Sequence, residues 1–304
     1  MSNPAVSVLI TLYNREKYVA AAIESVLAQR FTDYELIIVD DGSQDRSLEI
    51  ARLYDGDPRV KVHVNELNLG DYPNRNRAAS LARGKYLKYV DADDLIYPQC
   101  LELMVQGMES FPGAGYGVSR AMPGIRYPAQ LSPREAYEAH FLFRTGLFSA
   151  GPLDTIILRS AFEMIGRFDT ARYTGDSLCS MALARTAPVV IIAPELVWWR
   201  RHEDQESVAE TKGYEVLADV GGRRFRHILG ALDAADCPLS EPDRHWVRSR
   251  TMRMYARRIL GRLLRGHFHY AKALLRASGQ RVRTFATALL KPQGRPASGA
   301  RDST

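Results

Sequence analysis

Cysteine is scarce in this chain of 304 residues: Cys100, Cys179 and Cys237 are far apart and odd in number. They suggest neither a disulfide framework nor a zinc-ligand set, which fits a reducing, cytoplasmic compartment. Long apolar runs are missing as well. No stretch approaches the roughly 20 apolar residues of a membrane span. The run from Val6 to Leu12 is short, lacks a basic flank, and reads as a strand rather than a leader. No Gly-x-x-x-x-Gly-Lys-Ser/Thr occurs, which excludes that type of phosphate loop. The first strand–helix turn holds no Gly-x-Gly-x-x-Gly, which argues against a dinucleotide fold. Acidic residues vanish from 244 to 291, where 13 Lys and Arg stand alone.

That last absence divides the molecule. The chain carries a net +6, residues 292–304 add one positive charge, and residues 1–243 therefore carry a net −8. An acidic body with a basic arm points to an anionic surface as partner, or to the arm packing against the body. Within the arm, Met252, Tyr255, Ile259, Leu260, Leu263 and Leu264 fall on one helical face with Arg253, Arg257, Arg258, Arg262 and Arg265 around them. Such a basic amphipathic helix suits the anionic inner face of a membrane; the alternative is a helical appendage that buries this face on protein. No nucleic-acid recognition motif accompanies the charge, so nucleic acid is not expected as a partner.

The body alternates strand and helix. Val6–Ile10, Leu36–Val39, Val60–Val64 and Tyr86–Val90 read as strands. A helix through Val19, Ile23, Val26 and Leu27 follows the first, with Asn14 as its expected cap, and a helix through Leu48, Ala51 and Leu53 follows the second. Asn74–Leu81 is a third helix, closed by Gly84. This pattern argues for a largely parallel sheet with helices on both faces, whose ligands bind beyond the carboxyl ends of the strands. Thr11–Asn14, Asp40-Asp41 and Asp91–Asp94 all belong to that edge. The carboxylates of Asp91, Asp93 and Asp94 have no cation beside them in sequence, and an Asp-x-Asp at a strand end suits a hard divalent cation holding a diphosphate. An EF-hand does not fit, because Ile96 stands where its turn needs Gly. Downstream, Gly115–Met122, Thr155–Arg159, Val189–Ile192 and Leu196–Trp199 read as strands, Ile125–Leu131 as a loop, and Ser132-Pro133-Arg134-Glu135 as a capping box.

Taken jointly, Val6–Asn14, Glu35–Ser43, Asn68-Leu69-Gly70, Arg75-Asn76, Gly84-Lys85-Tyr86 and Asp91-Ala92-Asp93-Asp94 resemble family-two inverting glycosyltransferases in order and spacing, over about the first hundred residues. The resemblance implies a GT-A fold, a nucleotide-sugar donor, a saccharide or lipid-linked acceptor, and Mn²⁺ or Mg²⁺. Thr11 and Tyr13 resemble residues that cradle base and ribose, and Asp41 the carboxylate that accepts the imide N–H of uracil or thymine. Arg75 resembles the basic residue near the diphosphate. Asp91 resembles a ribose neighbour, Asp93 a metal ligand, and His202 a residue that completes the metal shell or touches the diphosphate. His202 lies in Arg200-Arg201-His202 with Ser207 beyond it. Ile165-Gly166-Arg167-Phe168-Asp169 resembles the family's Gly-Gly-Phe-Asp, with Arg167 for the second Gly. Gly175-Asp176 stands where Glu-Asp is common, which makes Asp176 the expected general base.

The expected organisation is residues 1–212 as the catalytic domain, with 1–97 for the donor and 98–212 for the acceptor. Residues 213–291 form a basic helical appendage, and 292–304 a disordered tail. Cell-envelope or extracellular polysaccharide synthesis is the expected setting. A non-catalytic nucleotide-sugar-binding module and a metal-dependent nucleotide-sugar hydrolase are the alternatives.

Overall fold

The computed structural model describes residues 3–170, 174–203, 205 and 213–290. The expected domain boundary at 212, Ser207 and the tail from Pro292 lie outside the described residues. The chain divides into two compact units: residues 1–140 with 144–200, and residues 141–143 with 201–304.

The first unit is built on an eight-stranded sheet of order β3-β2-β1-β4-β8-β6-β9-β7. Its parallel half comprises β1 (Val6–Leu12), β2 (Tyr34–Asp40), β3 (Val60–Val64) and β4 (Tyr86–Asp91). The other half is mixed. β8 (Thr155–Leu158) runs antiparallel to β4 and to β6 (Tyr116–Ser119). β9 (Val189–Ile192) is parallel to β6, and β7 (Ala129–Leu131) is antiparallel to β9. The expected loop at 125–131 therefore contains an edge strand. β5 (Leu95–Ile96) pairs with β10 (Val197–Trp198) in a separate small sheet.

Every residue of β2 is buried, as in a strand covered on both faces. Val6, Val8, Ile10 and Leu12 of β1 share one core with Val19, Ala22, Ile23 and Val26 of α1 (Val19–Leu27). Leu101, Met104, Val105 and Met108 of α4 (Cys100–Glu109) join the same core. Each such side chain fully buried contributes about 1.5–3 kcal/mol of transfer free energy. On the opposite pleat, Tyr89 meets the ring of Phe168 edge-on at 5.4 Å.

Three local expectations change. Asn14 does not cap α1, which begins five residues later. It sits in the left-handed region at φ 51°, which Asn tolerates, and its Oδ1 accepts the Gln44 backbone N–H at 2.7 Å. α2 (Ser47–Arg52) follows that turn. α3 (Asp71–Leu81) begins ahead of Pro73, because Pro is tolerated in a helix's first turn. Gly84 does not close α3. It lies beyond the helix, where a Cβ would stand 2.4 Å from the Ser7 backbone nitrogen. The Ser132–Glu135 capping box does form, with the Ser132 N–H on Glu135 Oε2 at 2.9 Å, ahead of α5 (Pro133–Phe141). α6 (Arg159–Met164) and α7 (Gly175–Thr186) complete the unit's α-helices among the described residues.

The second unit has its own helical core. Ala218, Phe225 and Leu229 of α8 (Tyr214–Asp233) pack with Tyr255 and Ala256 of α9 (Glu241–Leu264). Tyr270 and Leu274 of α10 (Phe268–Ser278) and Phe285 of α11 (Val282–Leu290) close it. The apolar face expected on α9 therefore splits: Tyr255 is buried, and Met252 and Ile259 pack on this core. Leu260, Leu263 and Leu264 stay exposed, Leu264 at 79 %.

Candidate active site

Parallel pairing alone places the polar strand ends together. Thr11 is in register with Val39 and Asp91, and Leu12 with Asp40. The carboxyl ends of β1, β2 and β4 thus present Thr11, Asp40, Asp41 and Asp91 along one edge. Tyr13 stands half-exposed beside them.

Asp41 is buried and organises its surroundings. Its Oδ1 accepts from Asn65 Nδ2 at 2.7 Å and the Leu69 N–H at 2.8 Å, and its Oδ2 from the Gly70 N–H at 2.8 Å. Asn68 Nδ2 donates to its carbonyl at 3.0 Å. The Asn68-Leu69-Gly70 segment is therefore folded onto Asp41. A carboxylate has about four lone-pair sites, so three donors leave one for a base N–H. Asp40 is also buried. Its Oδ2 caps the turn through the Gly42 and Ser43 N–H groups at 3.2 and 3.1 Å.

The acidic corner has cations after all, delivered from far in sequence. Arg75 of α3 donates through Nη2 to Asp91 Oδ1 at 2.6 Å and through Nε to Asp71 at 2.7 Å. Burial opposes its charge, but Asp71 and Asp91 hold its pKa well above the ordinary value. Its buried Nη1 has no partner among the described residues. Arg15 donates from Nε to Asp93 Oδ2 at 2.9 Å. The Arg200 backbone N–H meets Asp94 Oδ1 at 2.8 Å, and its Nε the Asp93 carbonyl at 2.9 Å. Burial, then the charge of Asp91, pushes the Asp94 carboxyl up to about 8 against the Arg200 N–H. Asp94 thus anchors the Arg200 backbone. Beneath the corner, Lys88 of β4 is fully buried and donates to the Leu153 carbonyl. Burial lowers its pKa and raises that of the neighbouring Asp154.

Among the described residues, no group of three or more His, Cys, Asp and Glu side chains stands together to hold a metal. Mg²⁺ is commonly held by one or two carboxylates plus substrate phosphates rather than a protein cage. Asp91 and Asp93 fit that smaller donor set, provided Asp93 exchanges Arg15 for the metal. His202 belongs to the second unit, where its backbone N–H meets Gln205 Oε1 at 3.3 Å.

Asp176 is the second residue of α7, and Oδ1 of its carboxylate accepts the hydroxyl of Tyr72 from α3. Helix α3 thereby reaches the segments on either side of 171–173. Asn76 Nδ2 donates to the Phe168 carbonyl at 2.9 Å, and Asn76 Oδ1 accepts the Phe168 N–H at 3.1 Å. Arg167 has φ 71°, which explains why the family pattern carries Gly at this position.

Sequence reasoning named Thr11, Tyr13, Asp41, Arg75, Asp91, Asp93, Asp176 and His202; the structure brings the first six to one edge, and His202 falls in the second unit. That reasoning missed Arg15, Tyr72 and Lys88. Arg15 directly follows the Tyr13-Asn14 turn, and Tyr72 lies between the Asn68–Gly70 segment and Arg75; those positions were the available signals.

A family model described as glycosyl transferase family 2 matches residues 7–161. The uncharacterized glycosyltransferase YibD of Escherichia coli (strain K12) is 41 % identical over 110 residues, 36 % of this chain and 32 % of that one. The uncharacterized glycosyltransferase MJ1057 of Methanocaldococcus jannaschii is 40 % identical over 113 residues, 36 % of this chain and 39 % of that one. The chain thus aligns with about a third of the length of these curated relatives. Among solved structures, S. aureus TarS 1-349 in complex with UDP-GlcNAc superposes with a TM-score of 0.70 at 19 % identity, covering 93 % of this chain and 81 % of that one. The mannosyltransferase PcManGT from Pyrobaculum calidifontis, in complex with GDP-Man and Mn²⁺, gives 0.58 at 17 %, covering 95 % and 88 %. At these identities the superpositions establish the fold, which is GT-A.

Proposed function

The chain belongs to glycosyl transferase family 2, and from that premise we propose that it moves a sugar, with inversion, from a UDP-sugar to a hydroxyl of a saccharide or lipid-linked acceptor. Cell-envelope or extracellular polysaccharide synthesis is the setting this reading implies. The observation that carries it is the convergence of Thr11, Asp41, Asp91 and Arg75 on the carboxyl edge of β1, β2 and β4, with Asp176 tied to the same helix as Arg75.

In this reading Thr11 and Tyr13 hold the nucleoside, and the remaining lone pair of Asp41 accepts the uracil N3–H. Arg75, already charged and with Nη1 unpartnered among the described residues, faces the diphosphate. Asp93, with Asp91, would hold Mn²⁺ or Mg²⁺, which when bound offsets charge on the leaving diphosphate. Arg15, released from Asp93, is placed to pair with a phosphate oxygen. A sugar hydroxyl is far too weakly acidic to ionise near neutral pH, so Asp176 takes its proton as the new bond to the anomeric carbon forms.

No helix among the described residues is long and apolar enough to cross a membrane. The exposed Met254, Leu260, Leu264 and Phe268, with Arg257 and Arg265, form a mixed apolar and basic face on the second unit. That face suits peripheral attachment to the anionic inner leaflet, where a lipid-linked acceptor would be met.

The test is UDP release from UDP-GlcNAc with Mn²⁺ that depends on an added saccharide or lipid-linked acceptor, together with calorimetry against UDP, dTDP and CDP. UDP and dTDP should bind more tightly than CDP, which lacks the imide donor. Asp176→Asn should lower kcat by roughly 10²–10⁴ while leaving UDP affinity within a few-fold. Equal nucleotide affinities and no donor turnover would overturn the reading.

A further inference from the structure

The family commonly carries Glu-Asp where this chain has Gly175-Asp176. Tyr72 explains the difference. A Cβ on Gly175 would stand 2.5 Å from Cε1 of Tyr72 and 2.7 Å from its Cδ1 and Cζ. Carbon atoms do not approach that closely, so the ring occupies the space a side chain at 175 would need. The residue is 5 % exposed, and its ring packs against Phe168 at a centroid distance of 5.5 Å.

The hydroxyl of Tyr72 engages Asp176 twice. It donates to Oδ1 and accepts the Asp176 backbone N–H at 3.3 Å. That N–H is one of the four donors a helix leaves unpaired at its start. Thr174, the residue at the cap position, makes no side-chain cap, and its buried hydroxyl has no partner among the described residues. Tyr72 thus caps α7 from a neighbouring helix and fixes the carboxylate of the same residue. Burial first, then the nearby charge of Asp176, raises the phenol pKa, so the hydroxyl stays protonated and able to donate. Oδ2 of Asp176 takes no hydrogen bond among the described residues.

We propose that Tyr72 is the positioning residue for the base: it commits Oδ1 and the backbone N–H of Asp176, and so aims Oδ2 at the acceptor hydroxyl. Tyr72 takes over the space at position 175 and couples the helix that carries Arg75 to the helix that carries the base. The proposal rests on the reading of Asp176 as the general base.

The experiment compares wild type, Tyr72→Phe and Asp176→Asn, with UDP-GlcNAc and Mn²⁺ as the probe, water as the hydroxyl that takes the sugar, and released UDP as the readout. Phe keeps the ring and removes only the hydroxyl. Tyr72→Phe should lower kcat roughly 10- to 100-fold, the scale of a misplaced catalytic group, with the KM for UDP-GlcNAc within about twofold. A wild-type kcat in Tyr72→Phe, or a KM that rises in step with the loss, overturns the proposal.

Two measurements need no turnover. A shielded phenol on a carboxylate should give a slowly exchanging downfield hydroxyl proton by NMR, lost in Tyr72→Phe and moved upfield in Asp176→Asn. Its absence from the wild type overturns the pairing. A melting cycle tests the packing: Gly175→Ala should destabilise the wild type strongly and the Tyr72→Ala variant little. Additive effects in that cycle overturn it. If the proton is present and Asp176→Asn turns over donor normally, the pairing stands and the general-base reading is what fails.

Discussion

Arg15 and Asp93 meet across 78 residues of sequence, and their pairing sets the resting state of the acidic corner. The guanidinium holds Oδ2, so a divalent ion that binds through that oxygen must displace it. The pair is partly solvated, with side chains 21 % and 12 % exposed, and such pairs are worth about 0.2–1 kcal/mol. Arg15→Ala should therefore tighten Mn²⁺ binding, measured without nucleotide, by at most about fivefold. Unchanged affinity would show that Arg15 does not compete. Glu35 makes a different residue-scale case. Burial would raise its pKa, but hydrogen bonds from Ser7 and from the Arg83 backbone and guanidinium, with the Arg83 charge, bring it below the usual value. A lowered carboxylate pKa adds stability above the unfolded value, about 4.3 for Glu, and that stability is lost as pH falls through the folded value. Glu35→Gln should thus melt lower than wild type at pH 7, and the gap should narrow below about pH 4. A gap independent of pH would mean that shape rather than charge matters there.

At the scale of elements, the parallel strands were legible because each is a short run rich in β-branched or aromatic residues that passes into a polar turn. The ends of α1 and α3 were not. Asn14 looks like a cap in sequence, yet Asn serves caps and left-handed turns alike, and only the Gln44 N–H across the turn decides between them. Gly84 shows the same limit: glycine marks helix ends and close backbone approaches equally well. Here the approach is to β1, and the Ser7 hydroxyl that accepts the Gly84 N–H at 2.8 Å also donates to Glu35 at 2.7 Å. Gly84→Ala should force β1 away from the turn before β4 and cost about 1–3 kcal/mol, read as a lower urea midpoint. A neutral result would mean that the backbone relaxes without cost.

For the whole molecule, composition located the basic arm but not its inner faces. A helix in a bundle has more than one apolar stripe, and sequence alone does not say which is buried. The stripe through Tyr255 went to the core of the second unit, and the stripe through Leu260 and Leu264 stayed outside. The intact protein should therefore bind phosphatidylserine vesicles, and Leu264→Asp with Phe268→Asp should abolish binding while the melting temperature holds. Added salt should weaken it, since exposed charges are screened over about 8 Å at physiological ionic strength. Vesicle binding that survives both changes would move the contact elsewhere. The ring of Tyr72 bears on a different practice, recombination between relatives. A hybrid whose crossover falls between α3 and α7 takes Tyr72 from this parent and position 175 from the other. If the other parent carries Glu at 175, the hybrid inherits a collision; if it also carries a smaller residue at 72, the reverse hybrid inherits a hole and an uncapped α7. The segments on either side of such a crossover are therefore exchangeable only when positions 72 and 175 travel together.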